Sequence, residues 1–261
     1  MSAPADTTDL WIRRFHRSPS AKARLMVLPH AGGAASYFFP MSRDLAPDVE
    51  VLSVQYPGRQ DRRAEPLMET VADLADAIAD LITDTADPGD PPLALFGHSM
   101  GASVGFEVAV RLRAAGIRPA CLIASGRRAP SAFRDERVHE RDDDGVLDEV
   151  RELNRVDRTV IGDDEILRMA LPAIRADYRA IETYACPAGR RVRCPVTVLI
   201  GDQDPKVTPE EAGNWGEHTE GGLRLAVFPG GHFFLARQQS AVNAELQREL
   251  TALAAGIAFR A

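Results

Sequence analysis

The sequence predicts an α/β protein whose mainly parallel central sheet is covered by helices on both faces. Three observations carry that expectation. Short apolar runs recur along the chain, segments with an apolar repeat of three to four residues lie between them, and Gly- and Pro-rich breaks punctuate the joins. With 261 residues and 45% apolar content, the chain can fill one core, so a single domain over residues 1–261 is the expected organisation. No internal repeat is visible.

Residues 1 to 23 are polar and mixed, with room for one edge strand around Leu10 to Phe15. Leu25-Met26-Val27-Leu28 reads as a buried strand, closed by Pro29 and followed by His30-Ala31-Gly32-Gly33. A helix from about Ser36 to Leu45 leads to a strand over Val49 to Val54, which ends in the turn Tyr56-Pro57-Gly58-Arg59. From Thr70 to Ile82, the spacing of Val71, Leu74, Ala75, Ile78, Leu81 and Ile82 predicts an amphipathic helix. The Pro-rich stretch Asp87 to Pro92 ends it and opens the strand Leu93-Ala94-Leu95-Phe96. Further strands are expected over Ala120 to Ala124, Val196 to Ile200 and Leu223 to Phe228, with a helix after Thr208 and a last one over Ala241 to Ala255.

One segment interrupts the alternation. Between Ser125 and Arg193 no strand is expected, only a charge-dense stretch from Arg134 to Arg158 and an amphipathic run through Leu167, Ala170, Leu171, Ile174, Tyr178 and Ile181. Pro172 predicts a break or kink in that run. An insertion over about 127–190, at the C-terminal edge of a parallel sheet, is where a helical lid would sit.

The candidate chemistry centres on Gly97-His98-Ser99-Met100-Gly101, which stands between a strand and a run with helical spacing. In that context G-x-S-x-G is a sharp strand-to-helix turn that presents its serine at the sheet edge. The pattern occurs twice, but Gly101-Ala102-Ser103-Val104-Gly105 falls inside the following helix, where Ser103 would only pack. Ser99 is therefore the candidate nucleophile. A serine hydroxyl needs a base and a group that orients the base. In this architecture they follow in the order Ser, Asp or Glu, His.

Among six histidines, His16 and His139 lie in polar segments, His30 and His98 precede Ser99, and His218 sits among charged and small residues. His232 follows a strand in Phe228-Pro229-Gly230-Gly231-His232 and is the candidate base. For the acid, Gly201-Asp202-Gln203-Asp204-Pro205 offers two aspartates at a strand end; Asp204, in the loop proper, is favoured, with Asp202 expected to stabilise the turn. The backbone N–H groups of Met100 and of Ala31, the latter in a Gly-rich loop like that of esterases, are the candidate oxyanion donors. With an ordinary imidazole pKa of ~6.5, activity should rise through neutral pH.

No metal and no nucleotide cofactor is called for, because Asp142-Asp143-Asp144 reads as a solvated helix start. The net charge of −7 without a basic block argues against nucleic acid as a partner. Cys121, Cys186 and Cys194 lack metal-ligand or redox spacing and read as reduced structural thiols of a cytoplasmic protein. No run reaches the ~18 apolar residues of a membrane span. Nothing in the pattern demands a dimer, so a monomer is the expectation.

Several stretches together resemble the type II thioesterases that accompany polyketide synthases and nonribosomal peptide synthetases. They are Leu28-Pro29-His30-Ala31-Gly32-Gly33, Gln55-Tyr56-Pro57-Gly58-Arg59, the serine turn, Ser125-Gly126-Arg127-Arg128-Ala129-Pro130, Leu171-Pro172-Ala173-Ile174-Arg175-Ala176-Asp177 and Gly230-Gly231-His232-Phe233-Phe234. Gln60 stands where the family often has Gly. The resemblance implies an α/β-hydrolase fold with a helical lid and hydrolysis of acyl thioesters from the phosphopantetheine arm of acyl or peptidyl carrier proteins. It further implies an editing role that removes stalled or aberrant acyl groups. Carrier proteins are usually acidic, so Arg59, Arg62, Arg127 and Arg128 are candidates for docking them, with surface or internal salt bridges the alternative for all four. A carboxylesterase for small oxygen esters, an acyltransferase and a catalytically idle hydrolase fold are the alternatives; the complete Ser99, Asp204, His232 set argues against the last.

Overall fold

The alternation of apolar strands and amphipathic helices does build a twisted, mostly parallel sheet. The computed structural model describes residues 7–157 and 164–255. Among these residues the sheet has seven strands: β1 (Ile12–Arg13), β2 (Ala23–Leu28), β3 (Val49–Val54), β4 (Leu93–His98), β5 (Leu122–Ser125), β6 (Val196–Gly201) and β7 (Leu223–Phe228). Their order is β1-β3-β2-β4-β5-β6-β7, with only β1 antiparallel. Central strands β2 to β6 are almost wholly buried, as strands covered on both faces must be.

The helices are α1 (Thr7–Trp11), α2 (Phe39–Leu45), α3 (Val71–Thr85), α4 (Met100–Ala114), α5 (Asp143–Leu153), α6 (Asp164–Glu182), α7 (Pro209–Gly213), α8 (Phe234–Arg237) and α9 (Gln239–Ala254). Side chains of α3 and α4, among them Leu74, Ile78, Val104 and Phe106, pack with Met26, Leu95 and Val198 on one face of the sheet. The other face is closed by α2 and α9 through Met41, Leu45, Val242 and Leu246 against Leu25, Val27 and Phe96. Thr70 caps α3, and Thr208 with Glu211 forms a capping box on α7.

Two expectations change. The lead-in forms the short helix α1 before β1, so only Ile12 and Arg13 pair, against Val54 and Ser53. A 3-10 turn over Ala35–Phe38 precedes α2, which starts at Phe39 with Pro40 beside it. Between β5 and β6 the described residues contain no strand, as expected, and α5 and α6 pack on each other through Val146, Leu147, Leu171, Ile174 and Tyr178. Asp142 is the N-cap of α5 and accepts from the Gly145 N–H at 2.9 Å. Helix α6 runs through Pro172 without a break. Proline costs the helix one backbone hydrogen bond there, and burial of Leu171, Ala173 and Ile174 on its inner face outweighs that loss.

Candidate active site

Ser99 joins β4 to α4 at φ 54° and ψ −116°, a backbone conformation that a residue with a side chain adopts only when its surroundings enforce it. The flanking glycines show the enforcement. A Cβ on Gly97 would lie 2.0 Å from the Gly101 carbonyl oxygen, and one on Gly101 would lie 2.1 Å from the Leu28 carbonyl oxygen. Strand β4, helix α4 and the end of β2 therefore meet at a spacing that only glycine permits. The Ser99 N–H donates to the Ser125 carbonyl at 2.8 Å, which ties the turn to β5. Ser103, by contrast, is buried within α4.

The loops after β6 and β7 bring the other two candidates to the same edge. A Cβ on Gly201 would meet the Gly231 carbonyl oxygen at 2.3 Å, so these loops also pack through glycine. His232 Nε2 lies 3.0 Å from Ser99 Oγ, and His232 Nδ1 lies 2.9 and 3.0 Å from the two carboxylate oxygens of Asp204. The His232 and Asp204 side chains are 2% and 0% exposed, while Ser99 remains partly open. With Nδ1–H donating to Asp204, Nε2 is left to accept the serine proton. Asp204 also accepts from the Lys206 N–H at 2.8 Å. Asp202 instead accepts from the Gly230 N–H at 2.9 Å and braces the turn.

The sheet register also positions the two candidate donors. Leu28 of β2 pairs with Gly97 of β4, so Ala31 and Met100 each lie three residues beyond a paired position. Met100 is the first residue of α4, where a backbone N–H has no acceptor within the helix. His30, set aside as a candidate base because it precedes Ser99, joins the aromatic cluster behind His232. His98 and Phe233 pack on His232, the His98 and His232 ring centres 5.2 Å apart, and His30 packs in turn on His98 and Phe233. Burial, reinforced by His232 nearby, lowers the His30 pKa to about 3 and holds His98 well below the usual imidazole range. Both rings are thereby held neutral beside His232.

A family model for the thioesterase domain matches residues 23–250. The chain belongs to the thioesterase family. It is 54% identical to the probable cadicidin biosynthesis thioesterase of Streptomyces griseus over 94% of this chain and 67% of that protein. It is 51% identical to thioesterase PikA5 of Streptomyces venezuelae over 88% of this chain and 81% of that protein. Among solved structures it resembles the type II thioesterase BorB from the borrelidin biosynthetic cluster. That similarity has a TM-score of 0.88 and 45% identity, covering 94% of this chain and 99% of that one. The fold is thus that of the α/β-hydrolase thioesterases.

Two buried carboxylates that site reasoning missed come from the helical insertion. Asp177 of α6, 1% exposed, accepts from the Gly32 N–H at 2.7 Å and pairs with Arg59. Burial pushes its pKa up, with Arg59 and the Gly32 N–H pulling it back. Asp157, fully buried, accepts from the Gly231 N–H at 3.2 Å and the Phe233 N–H at 2.8 Å. Asp177 stood in a recognisable stretch of sequence. Asp157 carried no signal, being one acid in the charge-dense run.

The docking role considered for the arginines does not survive for three of them. Arg59 donates to the Gly33 and Pro57 carbonyls as well as to Asp177, and Arg62 donates to Glu65 and the Gln55 carbonyl. Arg128 is held by Glu136 and the Ala132 and Lys206 carbonyls. All three are buried and tie loops together, so they offer no charge to a partner. Arg127 lines a cavity of about 200 Å³ with Ser103, Phe133, Tyr184 and Cys186. Burial, with Arg128 adjacent, lowers its pKa to about 9. The three cysteines are free thiols, and burial pushes that of Cys194 up to about 12. Among the described residues no cluster of His, Cys, Asp and Glu has a metal-binding arrangement, and no helix is long and apolar enough to cross a membrane.

Proposed function

We propose that Ser99, His232 and Asp204 are the catalytic triad of a thioesterase that clears acyl groups from the phosphopantetheine arm of acyl or peptidyl carrier proteins. The observation that carries this reading is His232, bridging Ser99 Oγ on one ring nitrogen and the Asp204 carboxylate on the other. The kinship with thioesterases of antibiotic pathways supports the substrate class and an editing role in polyketide or nonribosomal peptide assembly.

In the first half-reaction, His232 Nε2 takes the Ser99 proton as Oγ attacks the thioester carbonyl carbon. The N–H groups of Met100 and Ala31 receive the developing oxyanion, and losing one such donor typically costs ~3 kcal/mol of transition-state stabilisation. Collapse breaks the C–S bond, and the imidazolium returns its proton to the departing thiolate, so the arm leaves as a free thiol. Water then replaces the thiol, His232 deprotonates it, and its attack on the acyl-serine releases a carboxylic acid and restores Ser99. The written balance calls for no added cofactor. Asp204 holds the imidazole in the required tautomer and stabilises its charged form.

We read residues 127–190 as the lid of a single hydrolase domain. Its apolar stripe packs on α5 and reaches Ala31, while Ile166 and Met169 lie exposed on α6. The test is mass spectrometry of carrier protein loaded with acetyl, propionyl or longer acyl groups. Loss of the acyl mass with wild type and its retention with Ser99→Ala is the expected result. Retention on every carrier, alongside rapid cleavage of simple oxygen esters, would move the assignment to a carboxylesterase.

A further inference from the structure

The helical insertion supplies carboxylates to both working loops of the site. Asp157, just beyond α5, receives the N–H groups of Gly231 and Phe233, the two residues that flank His232. The fit is close: a Cβ on Gly231 would lie 3.0 Å from Asp157 Oδ2, and one on Gly230 would lie 3.1 Å from Oδ1. Arg237 of α8 donates to the Asp157 carbonyl at 2.9 Å, fixing the backbone from which the carboxylate projects. On the opposite side, Asp177 of α6 receives the Gly32 N–H, next to Ala31, and is clamped by Arg59, which also donates to the Gly33 carbonyl at 3.1 Å.

Other contacts hold each loop nearby, the Gly33 N–H on the His30 carbonyl in one and the Gly230 N–H on Asp202 in the other, but the Gly32, Gly231 and Phe233 N–H groups are met by the insertion's carboxylates. Gly32, at φ +74°, and Gly230, at φ +136°, are in conformations that favour glycine, so the backbone there has freedom that these contacts remove. An amide N–H buried without an acceptor is costly, so each carboxylate selects the one loop conformation that satisfies it. The Asp157 contacts lie on both sides of the base, so they set the direction in which the His232 ring projects.

Building on the triad reading above, we propose that Asp157 is a positioning residue for His232 and that Asp177 does the same for the oxyanion loop. The insertion is thereby part of the catalytic apparatus as well as a cover for it.

The test measures hydrolysis of an acyl-pantetheine thioester and labelling of Ser99 by a serine-reactive fluorophosphonate. Variants are Asp157→Ala, Asp157→Asn, Asp177→Asn and, as a core control outside the insertion, Leu81→Ala of α3. Misplacing a catalytic group by 1 Å costs on the order of 100-fold, so Asp157→Ala should lose about that factor in kcat, with KM within about threefold of wild type. Labelling should slow in parallel, because it too depends on the base. Asp157→Asn keeps the size but turns an amide N–H₂ toward one of the two donors, and about a tenfold loss in kcat is expected together with a fall of a few degrees in the melting midpoint. Leu81→Ala should lower the midpoint and leave kcat alone. Wild-type kcat in Asp157→Asn, or a kcat loss in Leu81→Ala as large as in the Asp157 variants, would overturn the proposal. Labelling of Ser99→Ala as fast as wild type would instead sink the triad reading itself.

Discussion

On the sheet side of the site, Ser99 is held by backbone against backbone: Gly97 against the Gly101 carbonyl, Gly101 against the Leu28 carbonyl, and the Ser99 N–H on Ser125. On the insertion side, the loops bearing Ala31 and His232 are held by side chains, the carboxylates of Asp177 and Asp157, which reach in from elements outside the sheet. The first region is rigid because strand and helix cannot move apart without breaking the core. The second depends on two buried hydrogen-bonded groups, each a candidate for local loss at modest cost in global stability. The comparison teaches that one site can combine a turn fixed by the sheet, bearing Ser99, with two loops, bearing Ala31 and His232, that also receive contacts from a separate element.

The largest effect expected is on the base itself. Asp204→Asn should lower kcat by ~10⁴-fold, since an amide no longer enforces the required tautomer. Asp202→Asn, which keeps an acceptor for the Gly230 N–H, should change it by only a few fold. Steady-state kinetics of the two variants decides between them, and the reverse ranking would move the acid to Asp202.

A second contrast concerns stability. At Gly101 an added Cβ would strike the Leu28 carbonyl, whereas at Gly32 it would strike Ile174 Cγ1 at 2.6 Å, a side chain that can turn aside. Gly101→Ala is expected to cost about 4 kcal/mol or more in denaturant unfolding. Gly32→Ala should cost about 1–2 kcal/mol, the usual penalty for a left-handed alanine. Equal costs would mean that the insertion side is as unyielding as the sheet.

A third contrast appears in acid. His30 and His98 are held neutral in the folded state but take up protons near pH ~6.5 once unfolded. The unfolded chain therefore binds more protons between ~6.5 and about 3, where the folded His30 titrates. Stability falls as pH drops through that window, by up to ~1.4 kcal/mol per pH unit for each ring. Melting midpoints from pH 7 to 4 should decline less steeply in His30→Gln than in wild type, and an identical decline would remove His30 from the account.

Much of this was readable before any coordinates. Strands over Val49–Val54 and Leu223–Phe228 fall where the apolar runs begin and end, and the serine turn, the Asp204 loop and the His232 loop follow strands as their context required. What local sequence leaves open shares a cause. Pro172 favours a break or kink because local propensity excludes the packing that carries α6 on through it. Arg59, Arg62 and Arg128 stay open between docking and salt bridges because a sequence does not reveal which carbonyls will surround a guanidinium.

The sequence by itself determined the fold class, the strand-to-helix turn that carries Ser99 and the candidates that follow it, because these depend on periodicity, glycine placement and strand-to-loop boundaries within a few residues. Only the tertiary structure decided that Ser99 and His232, 133 positions apart, meet at 3.0 Å. The tertiary structure likewise decided that Asp157 grips a loop 74 positions away and that Asp177 reaches Gly32 across 145. Such contacts are set by how helices pack over a sheet, and no local run of residues encodes the distance.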